Sequence, residues 1–171
     1  MTAETAETRT LSQERADLIE TLRIHRYFLK FTVQNLTDEQ ARLTPTASAL
    51  SLGGLIKHVS HTEKGWYEFA TNTPGSMAGG EEDWADAFTM REDETLADLL
   101  AEYDAVAART DELAATADLD VSYPLPPEPW FEPGATRSVR RVLMHIVAET
   151  AQHAGHADII RETIDGQKTM G

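Results

Sequence analysis

The chain has 171 residues, no cysteine and a formal net charge of −14, from 29 acidic and 15 basic residues. This charge argues against a nucleic-acid binder and against contact with an anionic membrane surface, since both need clustered Lys and Arg. The lack of cysteine excludes a disulfide framework, a cysteine zinc site and a protein thiol nucleophile. The unusual chemistry that remains is six histidines: His25, His58, His61, His145, His153 and His156.

The N-terminal segment is expected to be a flexible tail over residues 1–10, followed by a single domain over residues 11–171. The segment is polar and acidic, without the basic region and apolar run of a signal peptide. No apolar run approaches the roughly 18 residues that a membrane span needs. The expected location is therefore the cytoplasm.

Four stretches have apolar residues at the three- and four-residue steps of a helix. They cover residues 11–36, 51–72, 94–117 and 137–165. Three of them begin at residue types that cap helix N-termini: Ser12, Ser51 and Thr136 or Ser138. Gly166 follows the fourth as a C-terminal stop. No stretch shows the sustained alternation of a strand. The predicted fold is all-α, a four-helix bundle.

The links between these helices are longer than a hairpin loop needs. They cover residues 37–50, 73–93 and 118–136, so crossover connections are open as well as a simple up-down-up-down order. The third link contains the sequence SYPLPPEPWFEPG at residues 122–134, whose five prolines exclude a helix.

Five of the six histidines lie in two of the predicted helices. The second helix carries His58 and His61, and the fourth carries a polar stripe of His145, Glu149, His153 and His156. At about 100° per residue, the stripe covers only about 80° of the helix surface. His145 and His153 are about 12 Å apart along the axis, too far to share an ion, whereas residues four apart are about 6 Å apart.

Buried imidazoles and a carboxylate need partners, and one divalent metal would satisfy them together. Three protein ligands with one open position are typical of a catalytic zinc site. His58 or His61 would supply the third ligand. Spacing leaves three pairs open on the last helix: His145 with Glu149, Glu149 with His153, or His153 with His156. It also leaves open a bundle whose histidines are structural. A ferritin-like di-metal site is excluded, because no Glu has a His three residues later.

Two segments resemble the DinB superfamily, in its DinB-like or mini-circle-type branch. They are LGGLIKHVSHTE and SVRRVLMHIVAETAQHAGHADIIRETIDG, and the resemblance covers about residues 11–166. It implies an up-down-down-up bundle with long crossover connections and a mononuclear metal site. The family's ligand positions match His58, Glu149 and His153. Many members have His where Glu149 stands, and the set is similar to the His–Glu–His set of mycothiol-dependent maleylpyruvate isomerases.

The resemblance also implies a function. It indicates a thiol S-transferase or isomerase with a divalent metal, zinc first and nickel or iron as alternatives. A low-molecular-weight thiol would be the cosubstrate and would attack an electrophilic substrate. His156 and His61 are the expected proton carriers, since neither stands at a ligand position. A homodimer is an expectation at the level of the family.

Three other functions remain open from the sequence. They are a metal-dependent hydrolase on the same site, a non-catalytic metal-binding stress-response protein, and a plain helical bundle. Three arginines begin the last helix: Arg137, Arg140 and Arg141. We expect them to be solvated surface residues, with the binding of a substrate carboxylate as the alternative.

Overall fold

Four long helices cross the part of the chain that this computed structural model describes, residues 11–76 and 86–170. The expected tail at residues 1–10 lies outside the described residues. The helices are α1 (Gln13–Phe31), a single turn α2 (Asp38–Ala41), α3 (Leu52–Ala70), α4 (Leu96–Thr116) and α5 (Val139–Asp165). A two-stranded antiparallel ladder joins β1 (Ser122–Pro124) to β2 (Thr136–Ser138). The all-α prediction is confirmed.

Three predicted N-caps begin three of the long helices. The hydroxyls of Ser12, Ser51 and Ser138 each accept a hydrogen bond from the backbone N–H three residues later. Ser138 is therefore the cap of α5, and the other candidate, Thr136, lies in β2. Gly166 ends α5 with a φ of 82°, a left-handed conformation that glycine adopts without strain.

Contacts of α1 show the directions of two neighbours. Arg15, at the start of α1, donates a 2.7 Å hydrogen bond to the carbonyl of Ala117 just after α4. The two helices are therefore antiparallel. Arg140, at the start of α5, pairs at 2.6 Å with Glu14 at the start of α1, so α1 and α5 are parallel.

The remaining directions follow from α3. Its His58 lies against His153 in the second half of α5, and its Trp66 lies against His145 nearer the start of α5. The helices α3 and α5 are thus antiparallel, and the order is up-down-down-up, as the resemblance implied. Helices α3 and α4 then run the same way, which requires the long crossover between them. Both α1 and α3 pack against α4 and α5 and so occupy opposite corners of the bundle.

The core has two apolar clusters separated by buried charge. One cluster includes Leu29, Leu55 and Ile160, and the other includes Leu22, Phe69 and Leu143. Between them lies an ion cluster of Arg26, Glu63 and Asp111. Arg26 and Glu63 are almost completely buried. The bundle therefore contains charged groups well inside its surface.

Some short elements differ from the prediction. The first helix ends at Phe31 rather than at residue 36, and Asn35 has a φ of 61° in the turn that follows. The turn α2 has a capping box between Thr37 and Gln40. This pair is a local sequence signal for the start of a helix, but apolar periodicity does not show it. The strands have three residues each, too few to show alternation.

None of the helices in the described ranges is both long and apolar enough to cross a membrane.

Candidate metal centre

Three side chains from two helices converge in the middle of the bundle. His58 from α3 meets Glu149 and His153 from α5, and their candidate ligand atoms all lie within 4.8 Å of one another. The two imidazole rings stand edge to face, with centroids 4.8 Å apart. Both histidines are buried, and Glu149 is partly exposed. We call these three residues the candidate metal centre. Spacing left three ligand pairs open on α5, and the pair that the structure brings next to His58 is Glu149 with His153.

The start of α3 is shaped to bring an aromatic ring onto His58. A Cβ at Gly54 would collide with the backbone carbonyl of Phe88, and a Cβ at Gly53 would collide with the side chain of Met90. The two glycines therefore let the segment before α4 lie directly on the helix. As a result the Phe88 ring stacks on His58 with centroids 3.8 Å apart and planes 17° from parallel.

A buried lysine holds the same segment in place. The ammonium of Lys57 is 2.8 Å from Glu94 and 3.3 Å from Asp86, and it donates a 3.1 Å hydrogen bond to the carbonyl of Thr89. Its side chain is only 3% exposed. Because Lys57 precedes His58, this network ties the position of the ligand to the position of the Phe88 segment.

Glu149 is positioned between two histidines on its own helix. One carboxylate oxygen lies 3.4 Å from Nε2 of His145, and the other lies 3.6 Å from Nε2 of His153. His145 in turn packs edge to face on Trp66 of α3. The contact with His153 and the charges of the surrounding imidazoles hold the pKa of Glu149 below its ordinary value, against partial burial. The carboxylate is therefore ionised at neutral pH.

His58 is a neutral donor at the same pH. Burial lowers its pKa from 6.5 to about 4, and the neighbouring His153 lowers it as well, although Glu149 opposes the shift. A neutral imidazole keeps a lone pair for a metal. Two imidazoles and one carboxylate form a set of the kind that binds zinc with a position left open. The residues present therefore fit a divalent ion.

The expected proton carriers lie in different surroundings. Nδ1 of His156 is 3.4 Å from Nδ1 of His153. His156 therefore contacts the ring nitrogen of His153 that does not face Glu149. His61 points away from it, toward α4, where its Nε2 lies 4.0 Å from Glu102. The His61 side chain is 43% exposed.

Sequence reasoning missed the side chains that support the centre. For Gly53 and Gly54 a signal exists, since a glycine inside a helix costs about 1 kcal/mol relative to alanine and needs a reason. Lys57 gives a second signal, because it interrupts an apolar helix face. Phe88 gives none, since it lies in a stretch without helical or strand periodicity. Its contact with His58 depends on how two distant segments pack.

Comparison with known proteins gives a family and a fold. A family model described as mycothiol-S-transferase matches residues 17–166. A crystal structure of a conserved protein from Enterococcus faecalis is similar, with a TM-score of 0.63 and 16% sequence identity, over 91% of this chain and 99% of that one. Identity at this level shows the shared fold alone. The search of curated proteins found no match.

Proposed function

The chain belongs to the mycothiol-S-transferase family, and from this membership and the site geometry we propose that it is a metal-dependent thiol S-transferase. The proposed cosubstrate is a low-molecular-weight thiol of the mycothiol type, and the second substrate is an electrophile. The observation that carries the proposal is the convergence of His58, Glu149 and His153 within 4.8 Å. The chain has no cysteine, so the reacting sulfur must come with the cosubstrate.

The proposed ligands are His58, Glu149 and His153, and zinc is the first metal to test. With two neutral imidazoles and one carboxylate, the charge of a divalent centre is about +1. When bound, such an ion favours the deprotonated form of a thiol at its open position. The thiolate is the nucleophilic form of sulfur. Because the chain has no cysteine, this thiolate must belong to the cosubstrate, and the metal would promote its formation.

The surrounding side chains orient the ligands and manage protons. Phe88 covers one face of His58 and keeps water from it. His145 lies next to one carboxylate oxygen of Glu149, and His153 lies next to the other. We assign proton transfer to His156, which contacts His153, and to His61, whose half-exposed side chain faces α4 and solvent.

Metal content is the first test of this proposal. We expect about one divalent ion per chain in the purified protein, and a large loss in His58→Ala and in His153→Ala. The matched control is His145→Ala, which removes an imidazole from the same stripe but should keep the metal. Retention of metal by His153→Ala together with its loss from His145→Ala would show that the ligand assignment is wrong.

Thiol consumption is the second test. The metal-loaded chain should join mycothiol to monochlorobimane, forming a carbon–sulfur bond as chloride leaves and the thiol proton passes to solvent. Removal of the metal by a chelator should stop the reaction, and restored zinc should recover it. A metal-loaded chain that conjugates no thiol under these conditions would contradict the proposed transferase activity.

A further inference from the structure

The start of α5 carries an arginine whose side chain has no partner among residues 11–76 and 86–170. Other Lys and Arg side chains in residues 11–76 and 86–170 pair with a carboxylate, donate to a carbonyl or lie over a ring. Arg140, for example, pairs with Glu14 and Asp120. The neighbouring Arg141 side chain makes no such contact within those residues, although the chain has 29 acidic residues for 15 basic ones.

Arg141 lies on the same stripe of α5 as the candidate metal centre. It precedes His145 by one turn and Glu149 by two, about 6 and 12 Å along the axis, and each step of four turns the direction by about 40°. The His145 ring packs on Trp66 of α3 and is partly exposed, so this stripe follows the surface groove where α3 and α5 pack together. Arg141, which is exposed, therefore stands at one end of that groove.

A second arginine lies at the same end of the groove, on the ladder. Arg137 in β2 is the cross-strand partner of Tyr123 in β1, and cross-strand partners point to the same face. The Tyr123 ring contacts Phe69 of α3. The only hydrogen bond from the Arg137 side chain within the described ranges goes to the carbonyl of the preceding residue. Both guanidinium groups are within electrostatic range of the His145 ring.

The groove between these arginines and the candidate metal centre has open space at one turn of α3. Gly65 follows His58 by two turns and points within about 20° of the same direction. A Cβ at Gly65 would meet no atom within 4 Å. No close packing requires glycine at this position, although glycine inside a helix is less favourable than alanine. A ligand can therefore pass over this turn of α3.

We propose that Arg141, assisted by Arg137, binds a carboxylate of the electrophilic substrate while the reactive carbon lies at the candidate metal centre. A planar guanidinium fork matches a carboxylate with two parallel hydrogen bonds. Arg141 and Glu149 are about 12 Å apart along the helix axis, and the arginine side chain spans part of this distance. In the substrate, the carboxylate and the reactive carbon must therefore be several bonds apart. A carboxylate across a benzene ring from the reactive carbon belongs to this substrate class. The catalytic part of the inference rests on the proposed transferase function, but carboxylate binding does not.

Binding is tested with an unreactive pair, 4-methylbenzoate and its neutral analogue 4-methylbenzamide. In NMR titrations of the zinc-loaded chain, Arg141→Ala should weaken benzoate binding at least fivefold and leave the weaker amide binding unchanged. The control is Arg140→Ala, which removes the same charge from the next residue. Repeating the titrations with EDTA separates the arginine from metal coordination. Equal benzoate binding by wild type and Arg141→Ala, or binding that disappears with the metal in every variant, would overturn the inference.

Turnover is tested with the reactive pair 4-(chloromethyl)benzoate and 4-(chloromethyl)benzamide. The thiol sulfur bonds to the benzylic carbon, chloride leaves with the electrons of the carbon–chlorine bond, and the thiol proton passes to solvent. Arg141→Ala should lower kcat/KM for the benzoate about tenfold and leave the amide unchanged. An unchanged ratio of the two would refute the role in substrate selection. If the wild type conjugates neither compound, the transferase proposal fails, and the binding titration still decides the carboxylate site.

Discussion

Two groups of polar side chains extend into the interior of the bundle, and their polar atoms find partners in different ways. In the ion cluster, Arg26 donates to Glu63 at 3.2 Å through Nε and to Asp111 at 2.7 Å through Nη1. A cation with several N–H donors therefore meets carboxylates that can only accept. This cluster is complete with the protein's own groups.

Among the residues that the structure describes, no Lys or Arg pairs with the candidate metal centre in this way. The centre contains the ionised Glu149 and two imidazoles, of which His58 is neutral because burial and His153 lower its pKa to about 4. Glu149 lies 3.4 and 3.6 Å from ring nitrogens of His145 and His153, and both distances are longer than good hydrogen bonds. The comparison teaches that burial alone does not mark a ligand site. What distinguishes the candidate metal centre is a set of electron-pair donors, two buried and one partly exposed, that converge within 4.8 Å.

The largest expected effect concerns the ion cluster. Glu63→Gln leaves the Arg26 charge buried without its main partner, and breaking a buried pair in this way costs about 3–5 kcal/mol. Urea denaturation of the metal-free chain should show a loss of that size in the free energy of unfolding. Asp111→Asn removes the more exposed carboxylate and should cost less. A change below about 1 kcal/mol in Glu63→Gln would contradict the role given to this cluster.

The reciprocal change at the candidate metal centre should affect the metal and spare the fold. Glu149→Gln keeps the size of the side chain but removes the charge that balances a cation. Affinity for zinc should fall by more than about 100-fold, since even loss of an outer-shell partner costs 10–100-fold. Competition with a chromophoric chelator measures it. Glu63→Gln should bind zinc as the wild type does, and a shared loss in both variants would mean that the two clusters are not independent.

Acid should destabilise the metal-free chain through His58. Its pKa is about 4 in the folded protein, below the ordinary 6.5, so the unfolded chain binds more protons between these values. Stability is therefore complete above about pH 6.5 and falls as the pH drops toward 4. The expected loss between pH 7 and pH 5 is at most about 2 kcal/mol. His58→Gln cannot titrate, and its denaturation midpoint should depend less on pH. If the denaturation midpoints of the wild type and His58→Gln depend equally on pH, His58 is not the cause of the loss of stability in acid.

The long helices were predictable because their signals are local. Ser51 and Ser138 cap helices with their own side chains, and Gly166 ends one through its own backbone conformation. The ligand pair on α5 was not predictable from spacing, since three pairs had suitable steps. Which turn of α5 faces His58 depends on how α3 and α5 pack, and only the family resemblance indicated the pair that the structure brings together.

The contacts around the candidate metal centre show the same limit. Phe88 lies far from His58 in sequence, and its ring stacks there because Gly54 lets the backbone approach and Lys57 holds the segment. The direction of Arg141 is a further example. It and Arg140 are adjacent and chemically identical in the sequence, but in the part of the chain that the structure describes only Arg140 pairs with carboxylates. Such differences arise from packing between elements and have no local signature.

The smallest effect separates a positioning residue from a ligand. His156 contacts Nδ1 of His153, which leaves Nε2 of that ring facing Glu149. A partner on one ring nitrogen fixes the orientation and the tautomer of the other. His156→Ala should therefore lower zinc affinity by about tenfold without removing a ligand, and His156→Gln, which keeps a polar group there, should recover part of the loss. His61→Ala is the matched control, because His61 faces Glu102, and its zinc affinity should equal that of the wild type. A loss as large as that in Glu149→Gln would make His156 a ligand rather than the residue that orients one.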